Sequence, residues 1–298
     1  MKYRHAHHAG NFADVHKHVT LLALLAALKR KDKGFLYLET HAGRGAYELP
    51  ASGGESAAGI GRFEAWLGSQ SAATAEELRH YGERVLRLRR ESGEPRLYPG
   101  SPLLAMRELR PQDRAVLIEQ LPAEARALEK ALSGQAQGRA RPPQVALHIT
   151  VESGDGFERL RAWLPPAERR GLTFVDPPYE QTRRDFARVR QAAAEALRRF
   201  PTGVVAVWYP IKDARDTAAW QSALVLELAG ELLASELSLY PSDSRVALNG
   251  SGMLIVNPPY QLAERMQVWL PQLYAGLDLG HGGGAVVRSL RAAAQPGP

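Results

Sequence analysis

An α/β fold is expected, with a mostly parallel sheet, helices over both faces and a last strand that runs against the others. Three observations predict it. In the second half of the chain, short apolar runs alternate regularly with longer helical patterns, which builds a parallel sheet covered on both sides. Runs such as "GFLYLE" and "GLTFVD" are bounded by Gly and polar residues, as buried strands are. Near the end, "NGSG" (249–252) lies between two apolar runs; it signals a hairpin, and a hairpin must be antiparallel.

Taken in order, the first element is a helix. Asn11 can cap it, Asp14 sits in its first turn, and "ADVHKHVTLLALLAALKR" carries it to about Lys31. Its apolar stretch, 19–28, is about half of what a membrane span requires, so an amphipathic or buried helix is expected. "GFLYLE" (34–39) then forms a strand. Residues 50–95 turn helical and polar and read as a small helical insertion. Within it, "TAEELRHYGERVLRLRRESG" opens with a Thr74–Glu77 capping box and carries a basic face.

Beyond the insertion, strands are expected at 114–119, 145–151, 171–176 and 203–210. Helices are expected at 122–132, after "SGDG", at 183–200 and at 216–234, before the closing hairpin. Residues 1–49 and 96–280 thus carry the α/β domain, 50–95 the insertion, and 281–298 a loose Gly-rich tail. Seven strands with a reversed last one is the plan of the Rossmann-like class I S-adenosylmethionine-dependent methyltransferase fold.

Composition narrows the function classes. The absence of cysteine excludes disulfides, thiolate zinc sites and a cysteine nucleophile. The formal charge of +6 permits a nucleic-acid partner without requiring one. Nothing at the N-terminus resembles a signal peptide, so a soluble cytoplasmic protein is the expectation. Five histidines crowd the first eighteen residues, but no carboxylate-supported ligand set stands out, and no metal is expected.

Ligands of open α/β sheets bind beyond the carboxyl ends of the parallel strands, so the residues that follow each strand are the candidates. After the first comes "ETHAGRGAY" (39–47), whose glycines allow a tight turn and close approach of a ligand. Glu119 follows the second; it suits the two hydroxyls of a ribose, or is an ordinary solvated carboxylate. Asp155 follows the third; it can accept from an adenine amino group or cap the next helix.

"DPPYE" (176–180) follows the fourth. An aromatic amine is a poor nucleophile because its lone pair is delocalised. The Asp176 carboxylate and the Pro177 carbonyl are two acceptors that would favour a pyramidal nitrogen, and the prolines hold them in place. Tyr179 is expected to stack on a flipped base, and Asp176 to take the proton. A near copy, "NPPY" (257–260), ends the reversed strand, so Asn257 should emerge at the opposite edge as a structural turn.

The stretches "YRHAHHAGNFADVHKH", "FLYLETHAGRGAYEL", "YPGSP", "DPPYE" and "NGSGMLIVNPPY" together resemble the RlmJ family, bacterial adenine-N6 methyltransferases of 23S ribosomal RNA. The resemblance implies S-adenosyl-L-methionine as cofactor and 23S rRNA as partner; the short apolar stretch leads to the expectation of no membrane association, and no obligate protein partner is evident in the sequence. It also implies that His18, His41, Ser101, Glu119, Asp155, Gly156 and Asp176 line the cofactor site. Tyr3 would touch the RNA, with His5 and Lys17 supporting the target base or its phosphate. His7, His8 and Phe12 depart from the family's expected pattern. Of the arginines on the helical faces, those just after Asp176 are favoured for phosphate contact. The rival readings are a DNA adenine-N6 or protein-glutamine methyltransferase, and a non-catalytic RNA-binding protein on a degenerate fold.

Overall fold

The computed structural model describes residues 8–70, 73–136, 148–241, 244 and 246–290. Helix α1 spans Phe12–Lys29, and Asn11 caps it by accepting from the Asp14 N–H at 3.0 Å. Strand β1 (Leu36–Glu39) follows. An antiparallel ribbon of β2 (Ala46–Glu48) and β3 (Leu97–Pro99) brackets the helices α2 (Gly54–Ser56), α3 (Arg62–Ser69) and α4 (Glu76–Ser92), with a π-helical turn over 57–61. Next come α5 (Ser101–Met106), β4 (Arg114–Glu119), α6 (Pro122–Ala136), β5 (His148–Ser153), α7 (Gly156–Trp163) and β6 (Gly171–Val175). The chain continues through α8 (Thr182–Arg199), β7 (Val204–Ile211), α9 (Ala214–Glu227), β8 (Leu232–Ser238), β9 (Gly250–Val256), α10 (Leu262–Leu277) and β10 (Gly284–Ser289).

Across the main sheet the order is β10-β8-β9-β7-β6-β1-β4-β5. Strands β5, β4, β1, β6 and β7 are parallel, and β9 lies antiparallel between β7 and β8. This is the class I methyltransferase arrangement with an eighth strand, β10, paired antiparallel to the edge of β8. The sheet's two faces carry separate cores because successive strand residues point to opposite sides. Leu36 and Leu38 pack with Val116, Ile118 and the apolar side of α8, whereas Tyr37 packs with Phe174 and the leucines of α1.

Three expectations are corrected. The helix expected to reach 234 stops at Glu227, and 232–238 form β8 instead. The closing hairpin does not turn at 249–252: β9 already begins at Gly250, and the connection runs from 239 to 249. The tail contributes β10 rather than staying loose throughout. Helix α4 has Ala75 at its N-cap, and the Ala75 N–H donates to Gln272 Oε1 at 2.8 Å.

Helix α1 is buried on nearly every side, packed against β9, α4, α5 and α10. A helix apolar all round is a core helix, and polar side chains in its middle must find partners there. His16, Lys17 and His18 are therefore carried inside, at most 4% exposed.

Candidate active site

Asp176 leaves the carboxyl end of β6 with its side chain 14% exposed. Lys17 Nζ stands 2.5 Å from Asp176 Oδ2 and 2.7 Å from Asp14 Oδ1. Burial alone would lower the lysine's pKa, but the two carboxylates more than offset this and hold it well above its usual range. Asp14 in turn accepts the Gly10 N–H at 2.9 Å, which ties the chain before α1 to the same ion cluster.

One strand over, Glu39 ends β1 fully buried, accepting from Tyr37 Oη at 2.8 Å and Ser101 Oγ at 2.5 Å. Desolvation, reinforced by the Asp176 charge, pushes its pKa up to about 8 against those hydrogen bonds. Burial thus favours the protonated form of Glu39. Ser101 opens α5, and the Gly100 N–H donates to the Gly45 carbonyl at 2.7 Å, which fastens the "YPGSP" turn onto the loop after β1.

That loop also reaches β4. The Gly43 N–H donates to Glu119 Oε2 and the Leu121 N–H to Oε1, both at 2.8 Å. Each carboxylate oxygen keeps a second lone pair, so Glu119 can still accept a ribose hydroxyl while the loop positions it. After β5, Asp155 caps α7 by accepting the Phe157 N–H at 2.9 Å. Its other oxygen takes Arg188 Nη2 at 2.6 Å. Burial would raise the Asp155 pKa; Arg188 and the cap bonds win and lower it. Gly156 is required here by packing, because a Cβ would stand 1.9 Å from the Thr40 carbonyl oxygen. His41 sets its ring edge-on to Phe157, with centroids 4.7 Å apart, and desolvation lowers its pKa to about 4.

The strand ends thus gather Glu39, His41, Ser101, Glu119, Asp155, Gly156 and Asp176 along one edge of the sheet. The model of the family described as "Ribosomal RNA large subunit methyltransferase D, RlmJ" matches residues 32–288. Ribosomal RNA large subunit methyltransferase J of Escherichia coli is 40% identical, over 93% of this chain and 94% of its own. Its namesake from Haemophilus influenzae is 37% identical, over 92% of each. The chain belongs to the RlmJ family. A crystal structure of a Legionella pneumophila protein superposes with a TM-score of 0.81 at 33% identity, over 95% of this chain and 98% of that one.

Two residues expected in this RlmJ-family site are placed otherwise. Tyr179 does not offer its ring to a base: it is 6% exposed, lies between Phe186 and Trp208, and donates its hydroxyl to the Trp208 carbonyl at 2.7 Å. The half-buried aromatic beside the Lys17–Asp176 pair is Trp208, whose ring centroid is 5.8 Å from Lys17 Nζ. Lys17 is 4% exposed and spent on carboxylates, so it is not placed to reach a phosphate. His18 is buried against Tyr98 of β3, its Nδ1 3.0 Å from that hydroxyl. Tyr3 and His5 lie outside the described residues. Of the arginines after Asp176, Arg183 and Arg184 are exposed, while Arg188 is turned to Asp155.

Sequence reasoning missed Glu39, Asp14 and Trp208. Glu39 and Trp208 had a usable signal, since both stand at or near the carboxyl end of a parallel strand. Asp14 had a weaker one, lying three residues before Lys17 on the same helix face.

Proposed function

We propose that this chain is a cytoplasmic, S-adenosyl-L-methionine-dependent methyltransferase acting on N6 of an adenine in 23S ribosomal RNA. The observation that carries the reading is the acceptor pair, Asp176 and Pro177, set at the end of β6 beside carboxylates suited to a nucleoside. The names of the Escherichia coli and Haemophilus influenzae relatives, large-subunit rRNA methyltransferases, support the substrate class.

The donor set fits the cofactor. Glu119 would hold the ribose hydroxyls and Asp155 the adenine amine, while Gly156 lets the start of α7 pack on Thr40 and so keeps Asp155 in place; His41, His18 and Ser101 would complete the surround. When bound, the cofactor supplies an electrophilic methyl group. The chain's own residues prepare the nucleophile. The Asp176 carboxylate and the Pro177 carbonyl accept the two amine hydrogens and localise the nitrogen lone pair. Lys17 fixes one Asp176 oxygen and keeps the acceptor from turning away. Asp176 then takes the proton that the methylated amine loses. Trp208 borders the place where the base must lie, and the family resemblance assigns Tyr3 and His5 to the RNA.

Methyl transfer from labelled S-adenosylmethionine to protein-free, unmethylated 23S rRNA tests this. Label on N6 of adenine is expected with the wild type. Preferential labelling of duplex DNA or protein, or full activity in Asp176→Ala, would overturn it.

A further inference from the structure

Arg188 has an arrangement that the methyl-transfer chemistry does not use. From the second turn of α8 its guanidinium donates to Asp155 Oδ2 at 2.6 Å and lies over the Phe157 ring, 4.7 Å from the centroid. His41 meets the same ring edge-on. The group held there is planar, gives an N–H bond to Asp155 and rests on an aromatic face. The amine-bearing edge of an adenine fits the same description. Arg188 is also the movable partner: its side chain is 41% exposed against 20% for Asp155. A part-exposed ion pair of this kind adds little stability, so a ligand can displace it readily.

We propose that Arg188 stands in for the cofactor's adenine on Asp155 and Phe157, that cofactor binding displaces it, and that the released guanidinium then joins Arg184 in holding an RNA phosphate. The inference rests on Asp155 being the adenine acceptor. Charge supports the second half. Once Asp155 accepts from a neutral amine, Arg188 is an unpaired cation one helical turn from the exposed Arg184, beside the loop that carries Asp176. Binding of the first substrate thereby adds a positive charge where the second has its phosphates. Arginine suits the exchange, since its fork serves carboxylate and phosphate alike.

Calorimetric titration of S-adenosylhomocysteine into the full chain tests the first half. Arg188→Ala, a helix-favouring change on an outer face, is expected to bind about two- to fivefold tighter, the worth of one part-exposed ion pair. Unchanged affinity overturns the displacement, and weaker affinity overturns it by making Arg188 part of the adenine pocket. If the wild type fails to bind S-adenosylhomocysteine at all, the cofactor reading itself has failed. For the second half, binding of a 23S rRNA fragment is followed across salt concentrations. In the wild type, S-adenosylhomocysteine is expected to steepen the logarithmic salt slope by about 0.7–0.9, one added phosphate contact, and in Arg188→Ala to leave it unchanged. A wild-type slope indifferent to S-adenosylhomocysteine overturns the RNA contact.

Discussion

The loops "DPPY" (176–179) and "NPPY" (257–260) differ in sequence at one position, yet the sheet puts them at opposite ends. Asp176 follows β6 at the carboxyl edge of the parallel strands. Asn257 follows the reversed strand β9, whose last residue, Val256, pairs with Val205 and Leu232 near the starts of β7 and β8. One loop holds a carboxylate against an ammonium; the other holds an amide among carbonyls, with Asn257 Nδ2 donating to Pro201 O at 2.8 Å and Gly203 O at 2.9 Å. Asn257 also takes a left-handed φ of 54°, a conformation that asparagine tolerates better than most residues. Strand direction, more than the four-residue pattern, separates an acceptor from a turn.

Breaking the first loop should have the largest effect. Asp176→Ala removes the acceptor and leaves the Lys17 ammonium facing a void, so the methylation rate should fall by about 10²–10⁴-fold. Asp176→Asn keeps an acceptor but loses the charge that pairs with Lys17, and should retain more activity than alanine does. Rates on 23S rRNA at saturating cofactor measure both. If the asparagine variant works as well as the wild type, the Lys17–Asp176 ion pair is irrelevant to turnover.

The loops also differ in their electrostatic surroundings, because Glu39 lies near Asp176 and no comparable buried acid contacts Asn257 among the described residues. With its pKa raised to about 8, Glu39 holds a proton in the folded chain that the unfolded chain releases near 4.5. The folded state then binds more protons, so stability falls as pH rises from about 4.5 to 8, by at most about 1.4 kcal/mol per unit. Above that window the contribution is gone. Glu39→Gln should flatten this decline in denaturant midpoints measured across the same range. An unaltered slope would mean that Glu39 is ionised in the folded protein.

Much of this contrast was legible before the fold was known, because buried parallel strands are written as apolar runs and their carboxyl ends can be read off. Strand β4 was legible to the residue, and Glu119, Asp155 and Asp176 followed from it and its neighbours. Strand β8 was not, because "ELLASELS" is made of strong helix formers and only pairing on β9 makes it extended. Helix α10 was hidden by the prolines before it and by Pro271 within it. Lys17 against Asp176, 159 residues apart, and Arg188 against Asp155, 33 apart, are products of packing that no local pattern announces. The burial of Tyr179 likewise depends on Trp208, which belongs to the next strand.

Breaking the second loop should affect stability and spare chemistry. Asn257→Ala loses both bonds to carbonyls and replaces asparagine, which tolerates the left-handed region, by a residue that does so less well, at a cost of about 1–3 kcal/mol. Asn257→Gly keeps the backbone conformation and should lose less. Methylation per folded molecule should match the wild type in both, by rate measurements corrected for the folded fraction. A catalytic defect in the glycine variant would restore the second loop to the active site.

The smallest effects are expected at the two tyrosines, where the loops are most alike in sequence. Tyr179 is enclosed, and Tyr179→Phe deletes only its hydroxyl bond to the Trp208 carbonyl, a loss of about 0.5–1.5 kcal/mol in thermal or denaturant unfolding. The phenylalanine ring keeps the packing on Phe186 and Trp208, so the rate should change little. Tyr260 is 82% exposed, and Arg30 Nη1 donates to its backbone carbonyl at 3.2 Å. That bond survives substitution, so Tyr260→Ala should stay within about 0.5 kcal/mol of the wild type. The ordering itself is the test: a tyrosine placed by strand direction inside the core must cost more to trim by one oxygen than its surface counterpart costs to remove entirely. If Tyr260→Ala slows methylation more than Tyr179→Phe does, the far edge of the sheet takes part in RNA binding, and position alone does not account for the division between the loops.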